Sequence, residues 1–347
     1  MTGAPEAARR FLDGFAARHS AAEVLAGLSA LRPLRVLVVG EAIIDEYSYC
    51  TPLGKAPKDP IVSARHVRLE RHAGGALACA NHVAGFCDDV QLVTCLGADD
   101  QDAFVRQRLR PNVTAQLFVR DGAPTIVKRR YVSEATLVKM FEVAVMDDTP
   151  PPGALEERML AHLDAALPLH DLVIAADYGH GLLGPRAAGL LAEGARVLAV
   201  NTQANPGNLG FNVITKYPRA AHVCLDEAEL RLALRDRFSP VTELADAVRE
   251  LLKCSVVSVT RGAAGVLVSG ANEVRWEVPA LARAVVDRMG AGDAYLAVAS
   301  PAVAAGLPVD VAALLGSAAA ALAVETVGNR TSVDAAAVRR LVGALLA

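Results

Sequence analysis

Val36-Leu37-Val38-Val39, closed by Gly40, is apolar at every position. A strand with one wet face alternates apolar and polar residues, so an unbroken run of this kind points to a strand buried on both faces, as in a parallel sheet. Similar runs recur at Val90–Leu96, Leu172–Ala176, Val197–Val200, His222–Leu225 and Val256–Val259. Most are separated by Ala- and Leu-rich stretches of helical period, such as 75–86, 153–167, 226–235 and 241–253. Strands alternating with helices predict an α/β fold, a doubly wound and mainly parallel sheet with helices on both faces. Upstream, residues 4–31 space Phe11, Phe15, Val24, Leu25, Leu28 and Leu31 as one or two amphipathic helices, an N-terminal extension over 1–34 ahead of a single domain at 35–347. Two segments, about 46–70 and 124–145, are charged, rich in Val, Thr and Tyr, and alternate. They predict antiparallel strands exposed on one face, forming a small separate sheet. The chain returns to β near 264–279, as a hairpin, and ends in helices at about 291–304, 310–325 and 333–346.

Composition narrows the partners. Of 347 residues, 53% are hydrophobic but only 4% aromatic, so the apolar content is aliphatic and suits helices packed on buried strands. A charged fraction of 21% excludes a disordered chain. A net charge of -3 gives no general attraction to nucleic acid or to an anionic membrane, so an anionic ligand must be held by a local site. The uncharged run Ala294–Val309 falls short of the roughly 20 residues of a spanning helix and contains Pro301 and Pro308. The start of the chain, with Glu6, Arg9, Arg10 and Asp13, lacks the apolar core of a signal peptide. The six cysteines form no CxxC pair and stand at no zinc-finger spacing from a His, as expected of reduced thiols in a cytoplasmic protein.

The segment richest in chemistry is Asp287-Arg288-Met289-Gly290-Ala291-Gly292-Asp293-Ala294. Its two glycines let the backbone turn sharply and present bare amides, and the helix behind them places those amides at a positive helix end. An Asp in the first turn could take a proton from an acceptor hydroxyl while the amides hold a phosphoryl group. The same residues would also serve as an ordinary helix cap.

Asp-x-x-Gly-Ala-Gly-Asp-Ala opening a helix near the end of the chain resembles the second signature of the ribokinase-like (PfkB) sugar kinases. Other segments resemble the family in order and spacing. Gly40-Glu-Ala-Ile-Ile-Asp45 is similar to its first strand and following turn, and Ala73-Gly74-Gly75-Ala76 to its first glycine signature. Pro124-Thr-Ile-Val-Lys128 resembles a lid strand, and Thr260-Arg-Gly262-Ala-Ala-Gly265 a glycine turn beside the nucleotide. Ala176-Asp177-Tyr178-Gly179-His180-Gly181 resembles a segment of one branch, the heptose 7-phosphate kinases.

The resemblance implies ATP as phosphoryl donor with Mg2+. It implies Asp293 as base, and the amides of Gly290, Ala291 and Gly292 as the site of developing charge. Asp45, Gly74, Gly75, Lys128 and Asp177 fall on the sugar side, and Thr260, Gly262, Gly265 and Asp287 on the nucleotide side. Asp226 and Glu229 replace the family's Asn-x-x-Glu near the metal and would act through water; a helix cap is the alternative for this pair. The expected reaction is phosphorylation of the anomeric hydroxyl of a heptose 7-phosphate, by a homodimer, with a separate nucleotidyltransferase acting next because no HxGH-type motif follows.

The departures bear on the acceptor. Ala78 stands where the family has Asn, and His180 where the branch has Lys. Lys55, Lys58, Arg65, Lys128, Arg129 and Arg130 could supply charge to a phosphate, or could be solvated edge cations. Another sugar as acceptor and a catalytically idle sugar-sensing module are the competing readings. Gly179-His-Gly181-Leu-Leu-Gly184 also matches GxGxxG, but the next strand ends in Asn201 rather than the acid that a dinucleotide site needs.

Overall fold

The computed structural model describes residues 6–271 and 274–347. The first positions of the helical stretch expected from residue 4, and residues 272–273 of the expected hairpin, lie outside it. Among the described residues there are thirteen strands: β1 Arg35–Gly40, β2 Ala42–Lys55, β3 Val62–Gly75, β4 Asp89–Gly97, β5 Val113–Arg120, β6 Ile126–Ser133, β7 Lys139–Val145, β8 Leu172–Asp177, β9 Leu198–Thr202, β10 His222–Asp226, β11 Val256–Thr260, β12 Val266–Gly270 and β13 Arg275–Val278. The helices are α1 Glu6–Ala16, α2 Ala21–Ser29, α3 Ala76–Val83, α4 Gln101–Arg108, α5 Gly153–Ala166, α6 Pro185–Gly194, α7 Glu227–Leu234, α8 Val241–Leu251, α9 Ala291–Ala304, α10 Val309–Ala323 and α11 Ala335–Leu345.

Nine strands form the main sheet in the order β13-β12-β11-β10-β9-β8-β1-β4-β5, parallel from β11 to β5 with β12 and β13 added antiparallel. Alternate side chains of a strand point to opposite faces. Val36 and Val38 therefore enter one core, with α2, α3, α9, α10 and α11, while Leu37 and Val39 enter the other, with α5, α6 and α8. Two covered faces are why β1 is apolar from Val36 to Val39, with its one charge, Arg35, at the half-buried start of the strand. The N-terminal helices belong to the first core, through Leu12, Phe15, Val24 and Leu28.

A second sheet has the order β3-β2-β6-β7. The expectation of purely antiparallel strands needs correction here. β2–β3 and β6–β7 are antiparallel, but β2 and β6, which join the two halves, run parallel, with Asp45 opposite Lys128 and Tyr49 opposite Val132. Distant segments meet at that seam, so local alternation carries no information about its direction. The ladder slips between Tyr49 and Cys50 and again between Tyr131 and Val132. A small core of Tyr47, Tyr49 and Val132 lies beneath.

Two further elements escaped the sequence reading. β5 is an edge strand, mostly half-buried, and α4 is polar and buries only Val105, so neither shows a strong period. The hairpin expected at 264–279 is β12–β13.

Candidate active site

Chain order places β1 in mid-sheet, with later strands added on one side through β4 and on the other through β8. The connections therefore leave in opposite directions between β1 and β8, which opens a crevice at the carboxyl ends of the strands. Glu41 follows β1, Tyr178 follows β8, Gln203 follows β9, Asp226 ends β10 and Thr260 ends β11. The N-terminus of α9 closes the crevice.

That helix begins at Gly290, whose φ of 80° lies in the left-handed region. A Cβ there would also press into Asn329 Oδ1, so glycine is required twice over. The first helical bond in the turn is donated by Ala294 N–H to Gly290 O (2.9 Å), which leaves the amides of Gly292 and Asp293 without an intrahelical acceptor. Asp293 sits in this first turn, only 8% exposed. Its Oδ1 accepts from the Tyr178 hydroxyl (2.9 Å) and from Gln203 Nε2 (3.1 Å). Burial raises its pKa to about 6, against the lowering effect of the Tyr178 hydrogen bond. A buried carboxylate with a near-neutral pKa beside bare helix amides has the properties of a general base next to an anion hole.

On the acceptor side, Asp45 forms a buried ion pair with Arg130, which also meets Glu142 at 2.9 Å. Asn329 Nδ2 donates to the other Asp45 oxygen at 3.3 Å. Gly74 and Gly75 permit this approach: a Cβ on Gly74 would fall on Asp45 Oδ2, and Gly75 has φ 57° against Glu41 O. Lys128, half-buried in β6, has its pKa lowered by burial while the carboxylates of Glu142 and Asp45 oppose the shift. His180 is buried with no partner at Nε2, and burial and the Lys128 charge lower its pKa to about 4, so it is neutral at physiological pH. It lines a small cavity with Glu41, Leu96, Arg120 and Pro124. A larger open groove between α5 and α6, at Leu160, Arg186 and Glu193, shares no residue with the site.

Asp177 is set apart from its expected position. It is wholly buried, and its oxygens are taken by Lys216 (2.6 Å), Tyr217 (2.8 Å), Asn212 (3.1 Å) and the Gly179 amide (3.1 Å). Its side chain holds the loop after β8 instead of facing the crevice. Asp287 likewise binds protein: Lys139 of β7, Tyr47 (3.3 Å) and the amides of Met289 and Gly328 (both 3.0 Å). Burial disfavours its charge, but these donors outweigh it and lower the pKa.

On the nucleotide side, Gly262 and Gly265 have φ of 56° and 84° in the turn between β11 and β12, and Thr260 Oγ1 donates to Leu225 O (3.4 Å). Asp226 and Glu229 form a capping box, Glu229 N to Asp226 Oδ1 and Asp226 N to Glu229 Oε2, both 2.7 Å. Glu229 Oε1 accepts from Ala204 N (3.1 Å), and burial raises its pKa to about 7. Both Glu229 oxygens are thus engaged, and the exposed Asp226 carboxylate is the one able to meet a hydrated cation. Among the described residues no group of three metal-ligating side chains forms; the exposed Asp226 carboxylate fits a magnesium ion carried by phosphates and met through water.

A sequence profile of the pfkB family carbohydrate kinases matches residues 34–336. The chain belongs to that family. As a pfkB kinase it is a carbohydrate phosphotransferase, and the fold agrees. A ribokinase-annotated structure from Agrobacterium tumefaciens superposes with a TM-score of 0.70 at 18% identity, covering 90% of this chain and 99% of that one. Escherichia coli phosphofructokinase-2 bound to fructose-6-phosphate gives 0.70 at 14% identity, over 90% and 99%. Among sequences, this pfkB kinase is 30% identical to bifunctional protein HldE of Nitrobacter winogradskyi over 85% of its own length and 61% of that relative. The HldE of Koribacter versatilis is 28% identical over 85% and 60%. The chain therefore spans about three fifths of the curated relatives it matches.

Glu41, Gln203, Asn329 and Lys139 were not singled out from sequence. Glu41 had one visible signal, a carboxylate placed directly after a fully apolar strand.

Proposed function

We propose that this pfkB kinase transfers the γ-phosphoryl group of ATP to the anomeric hydroxyl of a heptose 7-phosphate, giving a 1,7-bisphosphate. The observation that carries the catalytic part is Asp293, buried at the glycine-rich start of α9 with Oδ1 already bonded. In this reading the acceptor O–H gives its proton to Asp293 as its oxygen bonds the γ-phosphorus and ADP departs. Of the amides of Gly290, Ala291 and Gly292 expected to meet the charge on the transferring group, that of Gly292 is open, with the Asp293 amide beside it, whereas Ala291 N–H is turned to Arg288 O (3.5 Å). Asp45 orients the sugar, with Gly74 and Gly75 giving it room; Thr260, Gly262 and Gly265 frame the nucleotide, and Asp287, expected beside them, instead fixes the turn before α9 through Lys139, Tyr47 and the Met289 and Gly328 amides. Mg2+ bound to the nucleotide would offset phosphate charge, with Asp226 reaching it through water and Glu229 fixing Asp226.

The acceptor class is supported by the heptose-kinase-like segment Ala176–Gly181 and by Lys128 on β6; Arg130 and Lys139 nearby are already paired, with Asp45 and Glu142 and with Asp287. A different sugar is the second reading, favoured by the neutral His180 and by the engagement of Asp45 with Arg130. A homodimer is supported by exposed apolar residues of the lid sheet and its turns, among them Ile61, Val62, Val138 and Phe141. The HldE relatives are bifunctional proteins of which this chain matches about three fifths, so the expected separate nucleotidyltransferase is not part of this proposal. Among the described residues no helix is long and apolar enough to cross a membrane.

The test is ATP consumption across heptose 7-phosphates, hexose phosphates and free sugars, with Asp293→Asn as control. Loss of the base should cost about 2 to 4 powers of ten in turnover. Near-full activity in Asp293→Asn would remove Asp293 from its role. Turnover of unphosphorylated sugars alone would overturn the acceptor while leaving the kinase.

A further inference from the structure

Asp293 has two oxygens, and the protein treats them differently. Oδ1 receives both the Tyr178 hydroxyl and Gln203 Nε2, whereas no hydrogen bond from the described residues reaches Oδ2. Tyr178 is fixed at every polar atom. Its N–H donates to Glu41 Oε2 (2.9 Å), and its carbonyl accepts from Asn205 (2.9 Å) and Asn208 (3.0 Å). Glu41 Oε1 also takes the amides of His180 (3.1 Å) and Leu182 (3.3 Å), so one carboxylate holds three amides of the loop carrying Tyr178.

We propose that Tyr178 is a positioning residue for phosphoryl transfer: its hydroxyl, with Gln203, pins Oδ1 of Asp293 and leaves Oδ2 as the atom that receives the acceptor proton, while Glu41 holds Tyr178 in place. This rests on the kinase reading for its consequence in turnover, but not for the hydrogen bond itself. In the step concerned, the acceptor O–H bond breaks with its proton passing to Oδ2. The acceptor oxygen bonds the γ-phosphorus, and the bond from that phosphorus to the bridging oxygen breaks with its electron pair leaving on ADP. A carboxylate free to rotate would present either oxygen; one oxygen held by two donors fixes the plane of the base. Tyr178 suits the task because burial and the nearby Asp293 charge raise its pKa well above the ordinary range, keeping it a donor. The other ionisable groups around Asp293 are Asp45 on β2, Lys128 on β6, Cys79 on α3, Cys224 on β10 and Glu229 on α7. None of these is altered by removing one phenolic oxygen.

The experiment is Tyr178→Phe in the full chain. With an acceptor from the screen above, kcat should fall about 10- to 100-fold, the usual worth of a hydrogen bond to a charged group. KM for ATP and acceptor should stay within about twofold, since neither substrate loses a contact. The acid limb of kcat/KM, which reports the free-enzyme carboxyl that burial raises to about 6, should move to higher pH, because a donor that favours the carboxylate is gone. Gln203→Met, at a half-buried position, should move the limb the same way and serves if Tyr178→Phe folds poorly. An unchanged limb, or a raised KM for the acceptor with kcat intact, overturns the proposal. A second readout needs no turnover: the Asp293 carboxyl carbon, identified by its absence in Asp293→Asn, is titrated by NMR in ligand-free protein. Its midpoint should rise in Tyr178→Phe, and an unmoved midpoint refutes the positioning role. If the parent phosphorylates nothing in the screen, the acceptor reading fails alone and this titration decides the inference.

Discussion

Gly292→Ala separates stability from catalysis by sign. Gly292 is the second residue of α9, exposed, with nothing within 4 Å of a built Cβ and no positive φ. Ala in place of an exposed helical glycine stabilises by about 0.5–1 kcal/mol, the smaller figure applying near a helix end. The same open space is where a phosphoryl group must approach the unpaired amides of Gly292 and Asp293. A methyl there keeps the N–H but holds the phosphoryl group away from it, and should lower kcat by up to about 100- to 1,000-fold, the worth of one such donor. Gly290→Ala is the contrasting case. Its φ of 80° costs about 1–2 kcal/mol for a residue with a Cβ, and the new methyl displaces Asn329 from its 3.3 Å bond to Asp45. Urea unfolding and steady-state ATP turnover on both variants give the comparison: Gly290→Ala loses on both axes, Gly292→Ala gains on one and loses on the other. Parental kcat in a more stable Gly292→Ala protein would mean that these amides do not hold the transferring group.

Arg130→Met breaks a buried ion pair and strands Asp45, which should cost about 3 kcal/mol in urea unfolding; a loss under about 1 kcal/mol would show water already screening the pair. Stability should fall as pH rises from about 6.5 to 8. Burial raises the pKa of Glu41 and Glu229 to about 7. The folded chain therefore holds protons that the unfolded chain has released, and their contribution is lost as pH climbs through 7. Below 6.5 the trend flattens, because buried His82, His180 and His222, each lowered to about 4, stay neutral while their unfolded counterparts take up protons. Denaturation midpoints that climb steadily from pH 6.5 to 8 would contradict this assignment.

The architecture was legible because β1, β8, β10 and β11 are buried on two faces and say so in composition. Segments that bury one side weakly, such as β5 and α4, were not. Asp293 and Gly290 were visible because the turn demands glycine and the chemistry demands a carboxylate at one spacing. Tyr178, Gln203 and Asn329 act on Asp293 or Asp45 only after the ends of β8 and β9, the start of α9, β2 and a C-terminal loop converge, and no local pattern encodes that. Asp177 and Asp287 show the reverse: both lie in motif positions, yet Lys216 and Tyr217 engage one and Lys139 and Gly328 the other.

The slips in the small sheet have a mechanical consequence. β2 and β3 are each 14 residues long, so one pair of strands spans some 45 Å from the crevice to the outer tip. The slip after Tyr49 and the slip after Tyr131 lie almost opposite each other across the β2–β6 seam, where Tyr49 meets Val132. Together they draw a crease across the sheet, a line along which ladder bonds are weakest and bending is easiest. Asp45, Lys128 and Arg130 lie on the inner side, in unbroken register with one another. Lys139, paired with Val132, lies just beyond the crease, and its ion pair with Asp287 rivets the outer part of the sheet to the turn that precedes α9, across the line where the ladder itself is weakest.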